Sequence, residues 1–144
     1  MDFQSALRLL ESESPSEEAL KHSAYCYYRS GNLEASISKY EEWATKGHFA
    51  KHDCNSLLVA GYVSLELERY KESVHYFNTT GLTDTESDQA FTNHAVVLST
   101  CEVGEVRDGH AAAVAARTEC ELTNWKCWKA ISALASGCAE IGVW

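Results

Sequence analysis

Proline is almost missing from this chain. Pro15 is the only one in 144 residues, and there are eight glycines. Turn-rich all-β architectures need many such breakers, so their scarcity favours long helices over short strands. Basic residues are also few: 12 Lys and Arg stand against 21 Asp and Glu, a formal net charge of −9. So acidic a chain argues against nucleic acid or an anionic membrane as its main partner. It leaves a basic or largely apolar protein partner, or a charge that only keeps the domain soluble. No long apolar run occurs. The least polar stretch, 130–144, is interrupted by Glu140 and falls short of the roughly 20 residues that span a bilayer, so no membrane insertion is expected. The opening MDFQSALRLLESES is acidic and amphipathic, unlike a secretory leader. The six cysteines form no CxxC pair. Without a leader they read as reduced thiols of a cytoplasmic protein, most of them small buried hydrophobes.

Signatures of chemistry are missing too. There is no glycine-rich phosphate loop. His22 and Cys26 have the spacing of a base and a nucleophile on one helix face, but Cys26 lies in an aromatic stretch and reads as buried. His48, His52 and Cys54, with Asp53 beside them, come nearest to a metal set. Zinc needs three or four converging ligands, and a polar surface loop accounts for these residues. The pairs Glu17-Glu18 and Glu41-Glu42 read as solvated helix faces. The expectation is no enzyme, no cofactor and no metal.

What the chain does contain is helical periodicity. The spacing predicts helices over about 2–12, 15–30, 33–45, 54–68, 70–80, 87–102, 106–120 and 125–139. Ser14-Pro15-Ser16-Glu17 reads as a helix start capped by Ser14. Gly31-Asn32 stops the second helix. Residues 46–53 read as a loop, 79–85 as a turn, Gly104 as a break, and Thr123 or Asn124 as the cap of the last helix. Leu20, Ala24, Tyr27 and Tyr28 mark the packed side of the second helix. Leu33, Ile37, Tyr40 and Trp43 or Ala44 mark that of the third.

Two helix pairs match each other. Ala24 matches Gly61, Tyr25 Tyr62, Leu33 Tyr70, Ser36 Ser73, Ile37 Val74 and Tyr40 Phe77, each pair separated by 37 residues. Small residues let the two helices of a pair cross closely, and the aromatic fills the space beside them. Each pair still leaves apolar surface that only a neighbouring pair covers. This pattern resembles the tetratricopeptide repeat (TPR), whose period is roughly 34 residues. Gly31-Asn32-Leu33-Glu34 and Tyr40 look like that family's inter-helix turn and second-helix aromatic, and Ser36 and Ser73 stand where it usually has alanine. The longer period fits the loop at 46–53. Phe3, Ala6 and Leu10 resemble a second helix without its first. Ala95 and Gly109 resemble the small positions of a degenerate third pair with an insertion near 101–104.

The resemblance implies an all-α, TPR-like helix-turn-helix repeat solenoid of about seven or eight helices. It would form one domain: a half repeat at 1–13, repeats at 15–45 and 54–81, a degenerate repeat at 87–120 and an apolar C-terminal helix at 124–144. In such proteins the first helices line a concave groove for a partner peptide or helix. Carried over, the groove positions are Glu18, Lys21, Tyr25, Tyr28 and Arg29, then Asn55, Leu58, Tyr62, Leu65 and Glu66, then Gln89, Thr92, Val96, Ser99 and Thr100. Tyrosines suit binding by offering large contact area with a polar tip, and they equally suit packing between helices. A TPR subclass clamps the carboxylate of chaperone tails. Lys21 fits that clamp, but Tyr25 and Tyr62 replace its asparagine and Leu58 another basic position, so that role is not expected. Ala24-Tyr25-Cys26-Tyr27-Tyr28-Arg29, after Ala6-Leu7-Arg8-Leu9-Leu10, also resembles the amino-terminal repeats of a far longer intraflagellar-transport TPR subunit, up to about Tyr70.

The last predicted helix is unusual. Trp125, Trp128, Ile131, Leu134, Ala135, Cys138 and Ile141 fall near helical spacing, while Cys127, Ala130, Ala133 and Ala139 make the other side apolar as well. A helix apolar all round is buried. This one either packs on another chain, a copy or a larger assembly, through Trp125, Trp128, Ile131 and Trp144, or folds back to cap the domain. The function expected is a non-catalytic interaction module, an adaptor or small complex subunit. The alternatives are an assembly chaperone shielding an apolar segment, or a ciliary or cytoskeletal transport-complex subunit.

Overall fold

In the computed structural model the residues described are 3–12, 16–46, 53–83 and 90–143. Among them there are eight helices and no strand. They are α1 (Phe3–Ser12), α2 (Glu17–Arg29), α3 (Leu33–Thr45), α4 (Cys54–Glu66), α5 (Tyr70–Thr83), α6 (Ala90–Thr100), α7 (Gly109–Leu122) and α8 (Trp128–Glu140). The chain divides into two compact units, residues 1–69 and 70–144, with the boundary between α4 and α5.

In the first unit α1 packs on α2, α2 on α3 and α3 on α4. The crossing of α2 and α3 is built on Ala24 and Ser36, both wholly buried. The Ser36 hydroxyl donates to the Ala24 carbonyl at 2.7 Å. Serine therefore serves in the small position because its one extra polar group is satisfied inside the crossing, where an unpaired hydroxyl is costly. Ile37, Tyr40 and Trp43 fill the space around it. The Tyr40 and Trp43 rings meet edge to face at 6.4 Å. Leu20 is buried with Ala24, whereas Tyr27, Tyr28, Leu33 and Ala44 are half-buried.

The repeat of 37 residues extends to the helix ends. After α2, Gly31 at φ +82° donates its N–H to the Tyr28 carbonyl, and Asn32 donates to that of Tyr27. After α4, Glu68 at φ +59° donates to Leu65, and Arg69 to Ser64. Both are Schellman ends, which satisfy two carbonyls left over by the last turn. Arg69 is also ion-paired with Glu41 of α3. The left-handed position holds glycine in one repeat and glutamate in the other.

Several predicted boundaries shift. α2 begins at Glu17, and its cap is Ser16, whose hydroxyl accepts from the Ala19 N–H. Ser14, the predicted cap, and Pro15 lie outside the described residues; Ser16 offers the same chemistry two residues later. α4 stops at Glu66 because Glu68 turns left-handed. α5 runs through Gly81, predicted as a turn, to Thr83. Gly81 is a packing residue: an added Cβ would lie 3.0 Å from the Phe91 ring. α7 starts at Gly109, capped by Asp108, so Val106 is a buried loop residue and not the first of the helix.

In the second unit α5 packs on α6, and α6, α7 and α8 pack mutually. Its core is unusually small-residued: Ala95, Leu98, Ala112, Ala115, Ala116 and Ala133. Here α7 and α8 approach backbone to backbone. A Cβ on Gly137 would lie 2.8 Å from the Ala113 nitrogen. Gly109, predicted as the small residue of its own helix pair, instead makes room for Glu140 and Ile141 at the end of α8. The wholly buried Glu119 of α7 accepts from both the N–H and the hydroxyl of Thr92, tying α7 to the first turn of α6. A carboxylate there also faces the positive end of the helix dipole.

Candidate functional site: an anionic tyrosine cleft and an apolar terminal helix

The first candidate surface lies in the first unit, beside α2 and α4. Asp53 is the cap of α4: its Oδ1 accepts from the Ser56 N–H at 3.1 Å. Its Oδ2 lies 2.7 Å from the Lys21 ammonium on α2. Lys21 also reaches Glu18 at 2.8 Å and Glu17 at 3.5 Å, and its side chain is only 13% exposed. Burial alone would pull Lys21 down, but hydrogen bonds to Asp53 and Glu18, with their charges, outweigh it and hold the ammonium above its usual range. Burial alone would push Asp53 up, but the hydrogen bonds from Lys21 and Ser56 bring it below the usual carboxylate range. Three carboxylates against one ammonium leave this corner anionic.

Beside the ion cluster opens a cleft of about 230 Å³, lined by Glu18, Lys21, His22, Tyr25, Tyr40 and Asp53 with the α4 wall of Asn55, Ser56 and Val59. Tyr25 is 41% exposed. Its phenol oxygen accepts from Arg29 at 3.0 Å, and the guanidinium lies 5.9 Å from the ring centre. The Tyr28 ring stands 6.5 Å away, tilted by 49°. Tyr25, Tyr28 and Arg29 are thus one cluster next to the cleft. Leu58, Tyr62 and Leu65 are half-buried on α4, and the α4 wall of the cleft is formed by other residues. Asp53, His22, Tyr40, Ser56 and Val59 were not among the predicted groove positions. Asp53 carried a signal, since it precedes an apolar run as a helix cap does. Of the third predicted set, Gln89 lies outside the described residues. Thr92 and Ser99 are buried in the second unit rather than groove-facing, because Thr92 serves Glu119; Val96 and Thr100 are exposed.

The chemical candidates change character. Cys26 is buried and its thiol is pushed up by burial, the opposite of an activated thiolate. His22 is exposed and lies 3.6 Å from Glu18. Asp53 and Cys54 open α4; His48 and His52 lie outside the described residues. Among the described residues no three His, Cys, Asp or Glu side chains converge on a metal position, and no helix is long and apolar enough to cross a membrane.

The second candidate surface is α8. The helix that looks apolar all round packs with its smallest face, Ala130, Ala133 and Gly137, and keeps its largest side chains outside. Trp128 is 72% exposed, Trp125 52% and Ile131 42%. Trp144 lies outside the described residues. The predicted cap at Thr123 or Asn124 instead closes α7: Asn124 donates to the Glu121 carbonyl and Trp125 to that of Cys120. Both Asn124 (φ +49°) and Trp125 (φ +59°) are left-handed, a conformation that costs a bulky residue about 1–3 kcal/mol.

The run of eight short helices, the small-residue crossing of α2 and α3 and the 37-residue match in the sequence define the class of fold: all-α, TPR-like, helix-turn-helix repeats of the solenoid type. The comparisons agree. A MamA crystal structure is similar at TM-score 0.77 and 14% identity, over 99% of this chain and 75% of that one. A second MamA, of AMB-1, gives 0.78 and 15%, over 97% and 74%. A tetratricopeptide repeat protein from Parabacteroides merdae ATCC 43184 gives 0.73 and 16%, over 97% of this chain and 51% of that one. The likeness is one of fold. No protein-family model matches the sequence, and no curated protein does.

Proposed function

We propose that the protein is a non-catalytic protein–protein interaction module, an adaptor or small subunit of a larger assembly. It takes a partner peptide or helix with basic and apolar side chains in the groove of α2 and α4. The observation that carries this reading is the cleft itself, where Tyr25 stands exposed next to the anionic cluster of Glu18 and Asp53. An aromatic face beside carboxylates suits a lysine or arginine stem that packs along the ring while its charge meets the acids. Lys21 positions Asp53 here, and Tyr28, Arg29, Leu58, Tyr62 and Leu65 extend the contact along the two helices. The outer face of α8, with Trp128 and Ile131, together with Trp125 in the turn before it, is a second contact surface.

The test is a Tyr25→Ala, Tyr62→Ala double variant compared with wild type in affinity purification with mass spectrometry, with circular dichroism as the folding control. The expected result is an unchanged spectrum and loss of the partners that wild type retains. Retention of the same partners, or unfolding of the variant, would overturn the groove assignment.

A further inference from the structure

We propose that Cys120 and Cys127 form a reversible disulfide that closes the α7/α8 hairpin. The inference stands apart from the groove reading, because neither thiol lines the cleft. α7 and α8 run antiparallel, and their close contacts set the register: Gly137 lies against Ala113, and Gly109 against Glu140 and Ile141. Followed towards the turn, this register sets Ala116 beside Ala133 and Cys120 beside Ala130, and all four are buried. One helical turn before Ala130 comes Cys127, half-buried.

The turn itself brings the second thiol back towards the first. Asn124 and Trp125 are left-handed and reverse the chain, and the Trp125 N–H donates to the Cys120 carbonyl at 2.6 Å. Cys127 follows two residues later, and its side chain makes no capping hydrogen bond at the start of α8. The other two thiols of this unit lie at the far end of α7. The Asp108 N–H donates to the Leu98 carbonyl, which sets Cys101 near the start of α7, and Cys138 adjoins Gly137 there.

The two thiols divide the chemistry between them. Cys120 is wholly buried, and burial, with the charges of Glu119 and Cys127, holds its thiol above the usual range. The first to meet an external oxidant is therefore Cys127. A low-molecular-weight disulfide such as glutathione disulfide is that oxidant. The Cys127 thiol gives its proton to solvent, and its thiolate attacks one glutathione sulfur; the other glutathione leaves with the electron pair of the broken S–S bond. Cys120 then loses its proton and attacks the Cys127 sulfur, forming the protein disulfide and expelling the second glutathione as a thiolate. Both glutathione thiolates take up protons. The protein loses two thiols, and one glutathione disulfide is reduced to two.

Peptide mapping of the full chain tests the proposal. The folded protein is incubated with excess glutathione disulfide, its remaining thiols are alkylated in denaturant, and it is cut with trypsin. Lys126 separates the two cysteines, so the expected product is peptide 118–126 joined through sulfur to peptide 127–129. In wild type both thiols should be lost to the alkylating reagent, and the oxidised chain should melt at a higher Tm than the reduced one. Cys127→Ser should leave Cys120 reduced, because no external disulfide reaches it. Cys120→Ala should leave glutathione trapped on Cys127. Circular dichroism checks that both variants fold, and the wild-type map is decisive without them. A wild type that stays reduced, keeps glutathione on Cys127, pairs either cysteine elsewhere or melts lower when oxidised would overturn the proposal. So would a Cys120 oxidised as readily in Cys127→Ser as in wild type.

Discussion

The side chain that does most in the first unit is Asp53. One of its oxygens caps α4 and the other holds Lys21 of α2, so a single carboxylate joins two helices and shapes the cleft. Asp53→Asn keeps the size and can still cap but loses the ion pair. Both partners are largely buried, so the loss should be about 1–3 kcal/mol, read as a lower urea midpoint. The pH dependence has a definite sign. Asp53's folded pKa lies below its unfolded value of about 3.9, so its contribution is fully present above that pH and is lost as pH falls through the folded value. The variant should therefore lose less stability than wild type as pH falls below about 4. In the sequence Asp53 was legible as a polar residue ahead of a helix. Its bond to Lys21 was not, because only the packing of α2 near α4 brings the two together. Tyr25, Tyr28 and Arg29 were legible as a cluster, being local on one helix.

At the scale of the helix, the two repeats supply a matched experiment. The left-handed residue after α2 is Gly31 and its counterpart after α4 is Glu68. A Cβ in this conformation costs about 1–2 kcal/mol. Glu68→Gly should therefore stabilise the protein by about 1 kcal/mol and Gly31→Ala destabilise it by about as much, both measured as shifts in Tm. At the α7/α8 contact the limit is space. A methyl on Gly137 meets the Ala113 backbone at 2.8 Å and cannot be absorbed by side-chain rotation. Gly137→Ala should cost about 1–3 kcal/mol by overpacking, checked by denaturant unfolding. These elements also mark where reading the sequence succeeds. The end of α2 and the start of α3 followed from Gly31-Asn32, because a Schellman end and a cap are local chemistry. The orientation of α8 did not follow, because hydrophobicity ranks Trp128 above Ala133, while the contact with α7 selects for small size. Gly81 was misread for a similar reason: glycine in a turn and glycine under an aromatic ring look the same in a sequence.

Across the whole chain, the −9 net charge and the anionic cleft point the same way. Association with a basic segment should be electrostatically assisted, so the on-rate for a groove partner should fall several-fold as salt is raised across the physiological range. Stopped-flow mixing at several salt concentrations reads this directly; a rate indifferent to salt would mean that the partner docks through apolar contacts alone. Composition conveyed this sign before any fold was known, whereas placing the charge beside Tyr25 required the structure.

The distribution of indole rings has an optical consequence. Trp43 is wholly enclosed in the first unit, while Trp125 and Trp128 face solvent in the second. Of the four tryptophans, Trp43 should emit blue-shifted and shielded from iodide, and Trp125 and Trp128 red-shifted and readily quenched. The chain thus carries native reporters of two separate events. Iodide quenching follows whatever covers α8, and the blue component follows the melting of the α2–α3 core, with no added dye.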